Sequence, residues 1–208
     1  MEGILLIISG PSGSGKGTVV KKLEPEKGYA RSISVTTRRP RAGEEHGRDY
    51  FFTTEDDFHK MRVENALLEH AVYVNNYYGT PRGYVEDQIK NGKVVVLEIE
   101  VYGALQVREK FPGAVLIFLL PPTITELERR LTMRGTEDAV TIEARLKKAL
   151  EELKFIEKYD YLVINDNVTS AVNKIDSIVM AELLRPRRCI NEISVFSSSQ
   201  AEFEYFRM

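Results

Sequence analysis

Residues 4–18 read I-L-L-I-I-S-G-P-S-G-S-G-K-G-T, and this stretch decides the fold of the chain. Residues 4–8 form an unbroken apolar run, which is typical of a strand buried on both faces of a parallel sheet. Residues 10–16 then follow the pattern G-x-x-x-x-G-K, and a helix is predicted from residue 17 to about residue 23. A strand, a glycine-rich loop and a helix in this order predict a loop that binds phosphate groups.

The chemistry of this loop follows from its residue types. Glycines let the backbone curl so that successive N–H groups point at one anion, and the following helix adds the positive end of its dipole. Lys16 supplies a charge for the outer phosphates. The strict pattern has Ser or Thr directly after the lysine; here that position is Gly17, with Thr18 next, which weakens a hydroxyl contact from the loop to Mg²⁺. We predict that a nucleoside triphosphate binds at Gly10, Pro11, Ser12, Gly13, Ser14, Gly15, Lys16, Gly17 and Thr18; the alternative is an ordinary Gly/Ser-rich turn.

The composition is that of an ordinary globular protein. The chain has 208 residues, of which 43% are apolar and 29% charged, with a formal net charge of −2. This balance argues against a protein that coats nucleic acid or an anionic membrane. The single cysteine, Cys189, cannot form an internal disulfide, and the N-terminal apolar run is too short to span a bilayer and lacks the features of a signal peptide. We expect a cytoplasmic protein with neither nucleic-acid nor membrane partners.

Strands alternate with helices along most of the chain. This order predicts an α/β fold with a doubly wound parallel sheet, whose ligands lie beyond the carboxyl ends of the strands. Further strands are predicted at residues 29–35, 93–99, 114–120 and 161–164, and further helices at 83–91, 102–110, 124–133, 142–158 and 168–184. The helix at 124–133 is expected to carry its arginines on the exposed face. The helix at 142–158 is expected to turn Leu146, Leu150 and Leu153 inward.

The segment between the second strand and residue 83 differs from the rest of the chain in residue composition. Residues 36–52 combine four arginines with glycines, a proline and an aromatic end, which fits neither a core helix nor a disordered linker. A helix capped by Thr54 follows, and then short strands at 67–73 and near 78–81. We predict a flap at 34–82 inserted into a core of 1–33 and 83–184. A short lid at about 134–145 and a disordered or loosely docked tail at 185–208 complete the predicted organisation.

Arginines are concentrated in the flap and near the lid. Arg38, Arg39, Arg41 and Arg48 suit bidentate binding of phosphate, and the hydroxyl groups of Tyr50 and Tyr78 can donate to the same anion. The alternative is that each arginine is a solvated surface charge.

A second arginine set lies around the predicted lid. Arg130, Arg134 and Arg145 suit charge neutralisation during phosphoryl transfer, and the glycine after Arg134 suits a hinge. The alternative is an i, i+4 ion-pair network with Glu126, Glu128 and Glu137.

Several blocks in this order resemble the guanylate kinase family, from residue 9 to about residue 184. They are the loop at 9–16, T-T-R-R-P-R-A-G-E at 36–44, D-Y-F-F at 49–52, Y-G-T at 78–80, L-E-I-E-V-Y-G-A at 97–104, P-P at 121–122, R-G-T at 134–136 and N-D at 165–166. The chain departs from the usual pattern at Glu98, Glu100 and Tyr102, where the family often has Asp, Asp and Gln, and at Asn75.

The resemblance implies a P-loop kinase that transfers the γ-phosphoryl group of ATP to GMP with Mg²⁺. Lys16, Arg38, Arg130, Arg134 and Arg145 would then be catalytic, and Glu100 would hold the metal through water. GMP phosphate contacts are implied for Arg38, Arg41, Tyr50 and Tyr78, and guanine contacts for Ser34, Glu69, Thr80 and Glu98.

The implied guanine site is chemically reasonable. A carboxylate such as Glu69 can accept from guanine N1–H and N2–H₂, and the hydroxyl groups of Ser34 and Thr80 can donate to O6. Adenine would leave these partners unpaired, which supports strong discrimination. Glu98, at the end of a buried strand, is expected to need a partner because an unpaired buried carboxylate is costly.

Two other functions fit the same scaffold. One is a guanylate kinase-like module that has lost catalysis and binds peptides through its flap. The intact loop with Lys16 and the second arginine set favour an enzyme. The other is a kinase for a different small acceptor, against which Glu69 and the T-T-R-x-P-R run both argue.

Overall fold

A computed structural model describes residues 3–41, 43–73, 75–133 and 139–189 of the chain. Its strands are Ile4–Ser9 (β1), Ala30–Arg31 (β2), Val35–Thr36 (β3), Phe51–Phe52 (β4), Leu67–Tyr73 (β5), Asn76–Pro81 (β6), Val94–Glu98 (β7), Val115–Leu120 (β8) and Tyr161–Ile164 (β9). Its α-helices are Lys16–Lys27 (α1), Glu55–Val63 (α2), Arg82–Lys90 (α3), Val101–Lys110 (α4), Ile124–Thr132 (α5), Ala139–Leu153 (α6), Val168–Leu183 (α7) and Pro186–Cys189 (α8). A 3₁₀ turn spans Ile156–Lys158.

The core sheet is parallel, in the order β2-β7-β1-β8-β9. β1 pairs with both β7 and β8, which explains why its sequence is apolar at every position. Side chains alternate across a strand, so Leu6 joins the apolar cluster formed with α1 and α7, while Leu5 and Ile7 join the cluster formed with α3 and α4. The predicted doubly wound sheet is confirmed, and the phosphate-binding loop leaves its central strand.

A second, smaller sheet has the order β4-β3-β6-β5. β3 pairs with β4 in parallel and with β6 antiparallel, and β5 and β6 are antiparallel neighbours. Helix α2 packs on it through Phe58, which is fully buried beside Val35 and Leu67. The hydroxyl group of Thr54 accepts a hydrogen bond from the backbone N–H of Asp57, so the predicted cap of this helix is confirmed.

The single strand predicted at residues 29–35 is wrong. The chain forms β2 in the core sheet, leaves it after the backbone N–H of Ser32 donates to the carbonyl of Val96 at 2.9 Å, and starts β3 in the other sheet. Polar and apolar residues alternate in the second half of the stretch without a break, but its pairing partners change because Val35 pairs with Gly79 of β6. Sequence periodicity carries no information about which sheet a strand joins.

The helix predicted at 142–158 ends earlier, at Leu153, and the 3₁₀ turn follows it. Leu146 packs against the cluster of Leu127, Leu131 and Ala149. Leu150, however, is 48% exposed, so its predicted inward orientation is wrong. It lies at the edge of an apolar groove that α5 and α6 leave open.

The predicted tail is partly described. Residues 186–189 form α8, and the guanidinium group of Arg188 donates to the carbonyl of Gly113 at 2.8 Å. The buried carboxylate of Glu182 lies 2.7 Å from the guanidinium of Arg185. Residues 190–208 lie outside the described residues, as do residues 134–138 of the predicted lid, including Arg134; residues 139–145 of the predicted lid belong to α6. Within the part of the chain that the structure describes, no helix is long and apolar enough to cross a membrane.

Candidate active site

The loop between β1 and α1 has the backbone that its glycines predict. Gly10 has a φ of +139°, and a side chain there would approach the carbonyl oxygen of Leu119 to 2.3 Å. Gly15 has a φ of +94°, and a side chain there would approach the amide nitrogen of Asn165 to 2.4 Å. Since α1 begins directly after Gly15, its first N–H groups face the loop interior, where an anion can accept from them.

Lys16 closes over this loop. Its ammonium group donates to the carbonyl oxygen atoms of Gly10 at 2.6 Å and Pro11 at 3.0 Å. These are weak local acceptors compared with phosphate oxygens, so an incoming triphosphate can take their place. Thr18 is exposed in the first turn of α1.

Two of the three predicted lid arginines lie on the loop. The guanidinium of Arg130 donates to the carbonyl oxygen atoms of Ser14 at 3.3 Å and Asn165 at 2.9 Å. Arg145, from α6, donates to the hydroxyl group of Ser12 at 3.0 Å. Arg134 lies outside the described residues. The predicted exposure of the arginines on α5 is therefore wrong for Arg130, which turns back towards the loop.

Arg130 also forms the i, i+4 ion pair with Glu126 that was the predicted alternative to a role in phosphoryl transfer. Its Nε donates to Glu126 at 2.7 Å, and Arg129 binds the same carboxylate. Together the two guanidinium groups hold the pKa of Glu126 at about 2. The ion pair does not compete with a role at the loop, because a guanidinium group has five N–H donors and Arg130 uses different ones for each partner.

A single cavity of about 340 Å³ joins the loop to the smaller sheet. Its walls combine loop residues, the carboxyl end of β7 and residues of the smaller sheet. The predicted residues that it brings together are Ser12, Gly13, Gly15, Lys16, Gly17, Ser34, Tyr50, Thr80, Glu98 and Glu100. This is the location that the carboxyl-end rule for parallel sheets predicts.

Glu98 and Glu100 meet different surroundings at the end of β7. Glu98 is exposed to the cavity, so the desolvation argument for its need of a partner is wrong. A methyl group at Gly17 would lie 3.2 Å from its carboxylate, which places Glu98 beside the phosphate-binding loop. Glu100 pairs with Lys148 of α6 at 2.6 Å.

The arginines of the predicted flap, Arg38, Arg39, Arg41 and Arg48, are not among the residues that line the cavity. Nη2 of Arg38 donates to both carboxylate oxygens of Glu44, at 2.9 Å each, and the guanidinium lies 5.3 Å from the ring centre of Tyr50. Tyr78 packs edge-on against Tyr50, with ring centres 6.1 Å apart. Arg41 contributes its backbone N–H to Glu44, while its side chain is exposed.

Glu44 is the residue that organises this group. Hydrogen bonds from Arg38 and from the backbone of Arg41 lower the pKa of its carboxyl group, so it stays charged and keeps Arg38 extended beside the two tyrosines. Glu44 stands in the quoted 36–44 block, but nothing in its residue type separates it from a surface glutamate.

Glu69 is buried at 5% exposure beneath the same cavity. The hydroxyl group of Thr80 donates to its carboxylate at 2.6 Å. A hydroxyl group has one hydrogen, so the predicted donation from Thr80 to guanine O6 would require Thr80 to give up its hydrogen bond to Glu69. Ser34, which lines the cavity, remains available for that contact.

Burial raises the pKa of the Glu69 carboxyl group. An acid whose pKa is raised on folding stabilises the fold below its unfolded pKa and loses that contribution as the pH rises through the folded value. We therefore expect Glu69→Gln to raise the melting temperature near neutral pH, with a gain that shrinks on acidification. Thermal unfolding followed by circular dichroism over a pH series tests this; a variant less stable than the parent at neutral pH would contradict it.

Sequence reasoning missed other members of the site. Arg31, Ser32 and Asp49 line the cavity, and Asn165 is buried with its amide donating to the carbonyl of Ser14 at 2.8 Å. Asn165 directly follows β9, so its position at a carboxyl strand end was the signal that could have identified it. Arg31 and Ser32 sit in the stretch that was predicted as one continuous strand.

Comparison with known proteins agrees with this geometry. The family model described as guanylate kinase matches residues 2–182. A guanylate kinase of Oceanobacillus iheyensis is 53% identical over 188 residues, which cover 90% of this chain and 91% of that protein. A guanylate kinase of Bacillus subtilis is 53% identical over 189 residues, which cover 90% and 93%.

A solved structure gives the same result. The crystal structure of guanylate kinase from Anaplasma phagocytophilum superposes with a TM-score of 0.70 at 32% identity, covering 90% of this chain and 89% of that one. Extensive identity, a shared fold and a phosphate-binding loop that shares a cavity with the smaller sheet therefore lead to one conclusion: the chain belongs to the guanylate kinase family.

Proposed function

We propose that the chain transfers the γ-phosphoryl group of ATP to GMP, giving ADP and GDP. The observation that carries this is the shared cavity, in which Lys16 of the phosphate-binding loop faces Ser34, Tyr50 and Thr80 of the smaller sheet. A donor phosphate on one wall and an acceptor nucleotide on the other would meet in that space, as phosphoryl transfer requires.

The donor side uses positive charge that is already in place. Lys16 and the loop N–H groups hold the outer phosphates of ATP. Arg130 and Arg145, which lie against the loop from α5 and α6, neutralise charge on the migrating group, and Arg134 is proposed to join them. Little covalent work remains for the protein, because the reaction is accelerated mainly by positioning and electrostatic stabilisation.

The acceptor side divides between phosphate and base. Arg38 and Arg41, with Tyr50 and Tyr78, bind the phosphate of GMP. Arg38 is presented for this by Glu44, and movement of the flap would bring Arg41 in from the surface. The GMP phosphate is an anion near neutral pH and attacks without a general base.

The base is recognised by buried and cavity-lining groups. Glu69 accepts from N1–H and N2–H₂ of guanine, Thr80 orients Glu69, and Ser34 donates to O6. Glu98 lines the same cavity and is proposed to complete the guanine contacts.

Mg²⁺ fits this chemistry. The cation is usually bound by one or two carboxylates together with substrate phosphates. Glu98 ends β7, Glu100 precedes α4, and both line the cavity. We propose that Glu100 acts on it through water. When bound, Mg²⁺ supplies charge neutralisation on the phosphate oxygens. Within the described ranges no group of three or more His, Cys, Asp or Glu side chains forms a metal cage, so the phosphates would provide the remaining ligands.

We place the reaction in the cytoplasm, because a single cysteine leaves the fold independent of internal disulfides and suits a reducing compartment.

The non-catalytic alternative has no specific support. A peptide-binding module has no use for Lys16, Arg130 and Arg145 around a phosphate-binding loop.

The reaction is tested by measuring ADP formation from ATP and Mg²⁺ with GMP, AMP, CMP or UMP offered separately. Turnover with GMP alone is expected. If folded protein bound GMP without turning it over, the chain would be a binding module. Equal turnover with several monophosphates would show that the acceptor site does not recognise guanine as proposed.

We expect Arg38→Ala to raise KM for GMP by about a hundredfold, since charge-assisted bidentate contacts to phosphate are worth about 1.5–3 kcal/mol. KM for ATP should change little. Arg39→Ala is the matched control, because Arg39 is the exposed neighbour whose backbone carbonyl alone contacts Arg38. Equal effects of the two substitutions on GMP would contradict the assignment. Steady-state kinetics with each substrate varied in turn gives KM for GMP and KM for ATP in each variant.

A further inference from the structure

Glu69 stands in an irregularity of β5. The register of β5 against β6 shifts between Leu67 and His70, which places Leu68 and Glu69 in a bulge. Bulges redirect side chains and are frequent beside active sites. Here Leu68 enters the core cluster against α3 and α4, and Glu69 is directed at Gly103 of α4.

The approach between Glu69 and α4 is very close. A methyl group at Gly103 would lie 3.1 Å from one oxygen of the Glu69 carboxylate and 3.6 Å from its carboxyl carbon. Gly103 is buried in a helix interior, where glycine is usually unfavourable compared with alanine. Gly103 is absent from the glycines with positive φ among the described residues, so its conformation does not require glycine. Glycine is required at this position because the Glu69 carboxylate occupies the space that a side chain would need.

Glu69 has little freedom to move away. Gln106 of α4 donates to the carbonyl of His70 and accepts from its N–H, both at 3.3 Å. Lys110 donates to the carbonyl of Leu67 at 3.1 Å. The backbone on each side of Glu69 is thus fastened to α4, and the hydroxyl group of Thr80 holds the carboxylate itself.

We infer that Gly103 is a positioning residue for guanine selectivity, which admits the Glu69 carboxylate to the surface of α4 and so sets where it meets the base. Gln106 supports the same placement by fixing the strand. The inference rests on the proposed function and concerns its acceptor site. A methyl group at position 103 would force the carboxylate to shift by a few tenths of an ångström, and misalign it with two N–H donors at once.

The test is Gly103→Ala, with Gly83→Ala as the matched control. Gly83 is an exposed glycine of α3 at which a methyl group meets nothing within 4 Å. We expect Gly103→Ala to raise KM for GMP roughly tenfold, as for a weakened charged hydrogen bond, with KM for ATP, and kcat at saturating GMP, near the parent values. Its melting temperature should be at or above that of the parent, because alanine favours the helix. Gly83→Ala should leave both KM values unchanged.

A double-mutant cycle identifies the route of the effect. In a Glu69→Gln background the carboxylate is already gone, so adding Gly103→Ala should raise KM for GMP little further. Full additivity would overturn the inference, and so would an unchanged KM for GMP in Gly103→Ala. A fall in melting temperature with equal losses for both substrates would show a merely structural role and would also overturn it.

A second variant guards against misfolding. Gln106→Ala releases the strand without adding a group, and a selective rise in KM for GMP is expected; an unchanged value would count against the inference. A parent protein that neither binds nor phosphorylates GMP would overturn the proposed function itself. A parent that is GMP-specific, together with an unaffected Gly103→Ala, would overturn this inference alone.

Discussion

Lys16→Ala is expected to lower kcat by a thousandfold or more, on the order of the loss seen when preorganised charge is removed from a transition state. The ammonium group lies over the loop carbonyls of Gly10 and Pro11 in this structure, within the loop that is proposed to hold the outer phosphates. Alanine leaves the loop N–H groups in place but removes the mobile charge that follows the migrating phosphoryl group. GMP contacts none of these atoms in the proposed site, so its Kd should change by less than about threefold.

The control for this experiment is Lys21→Ala, which removes an exposed lysine from the same helix and should leave kcat unchanged. Stopped assays of ADP formation give kcat, and calorimetric titration with GMP gives Kd. A folded Lys16→Ala protein that has lost GMP affinity would contradict the division between donor and acceptor sites. Retention of most of the activity would contradict the role of Lys16 itself.

Glu69→Gln is expected to raise KM for GMP by about a hundredfold or more, because a site built to pair polar groups of a base loses much of its discrimination when one partner is changed. The amide keeps one oxygen acceptor but presents N–H groups to the N–H donors of guanine. KM for ATP should be unaffected. The preference for GMP over AMP should therefore fall nearly in parallel with the GMP affinity.

Glu64→Gln is the matched control, since Glu64 is an exposed glutamate at the end of α2, the helix that packs on the smaller sheet. The measurement is kcat/KM for GMP and AMP in each variant. Equal rises in KM for ATP and for GMP in Glu69→Gln would contradict the assignment of Glu69 as a guanine contact. Because the same variant is expected to be more stable near neutral pH, a loss of GMP affinity cannot then be attributed to unfolding.

The fold was largely predictable because its main strands are buried on both faces. β1, β7 and β8 are built on continuous apolar runs. Such a run predicts a buried strand whichever strands pair with it. β2 and β3 were not predictable as separate strands, since Val35 is apolar in either sheet and only its partner Gly79 decides. The predicted inward orientation of Leu150 was wrong for a related reason. Helical periodicity identifies an apolar face without showing how much of that face other elements cover.

Within the candidate site, residues in a local motif were predictable and residues joined by tertiary contacts were not. The loop from Gly10 to Thr18 is one uninterrupted pattern. The contact of Arg130 with Ser14 spans 116 positions, and the pairing of Asn165 with Ser14 spans 151. No spacing rule within one sequence reveals such pairs, and the hydrogen bond from Thr80 to Glu69 depends equally on three-dimensional neighbours.

The placement of Leu68 bears on whether the acceptor region is an exchangeable module. Leu68 belongs to β5, yet its side chain is fully buried in the core cluster with Val85 and Ala104, and removing such a side chain typically costs about 2–5 kcal/mol. The two sheets therefore share hydrophobic core and should melt in one cooperative transition. A chimera that receives this region from another monophosphate kinase would have to receive the facing surface of α4 as well, because a change of acceptor specificity made in this way also changes the packing of the core.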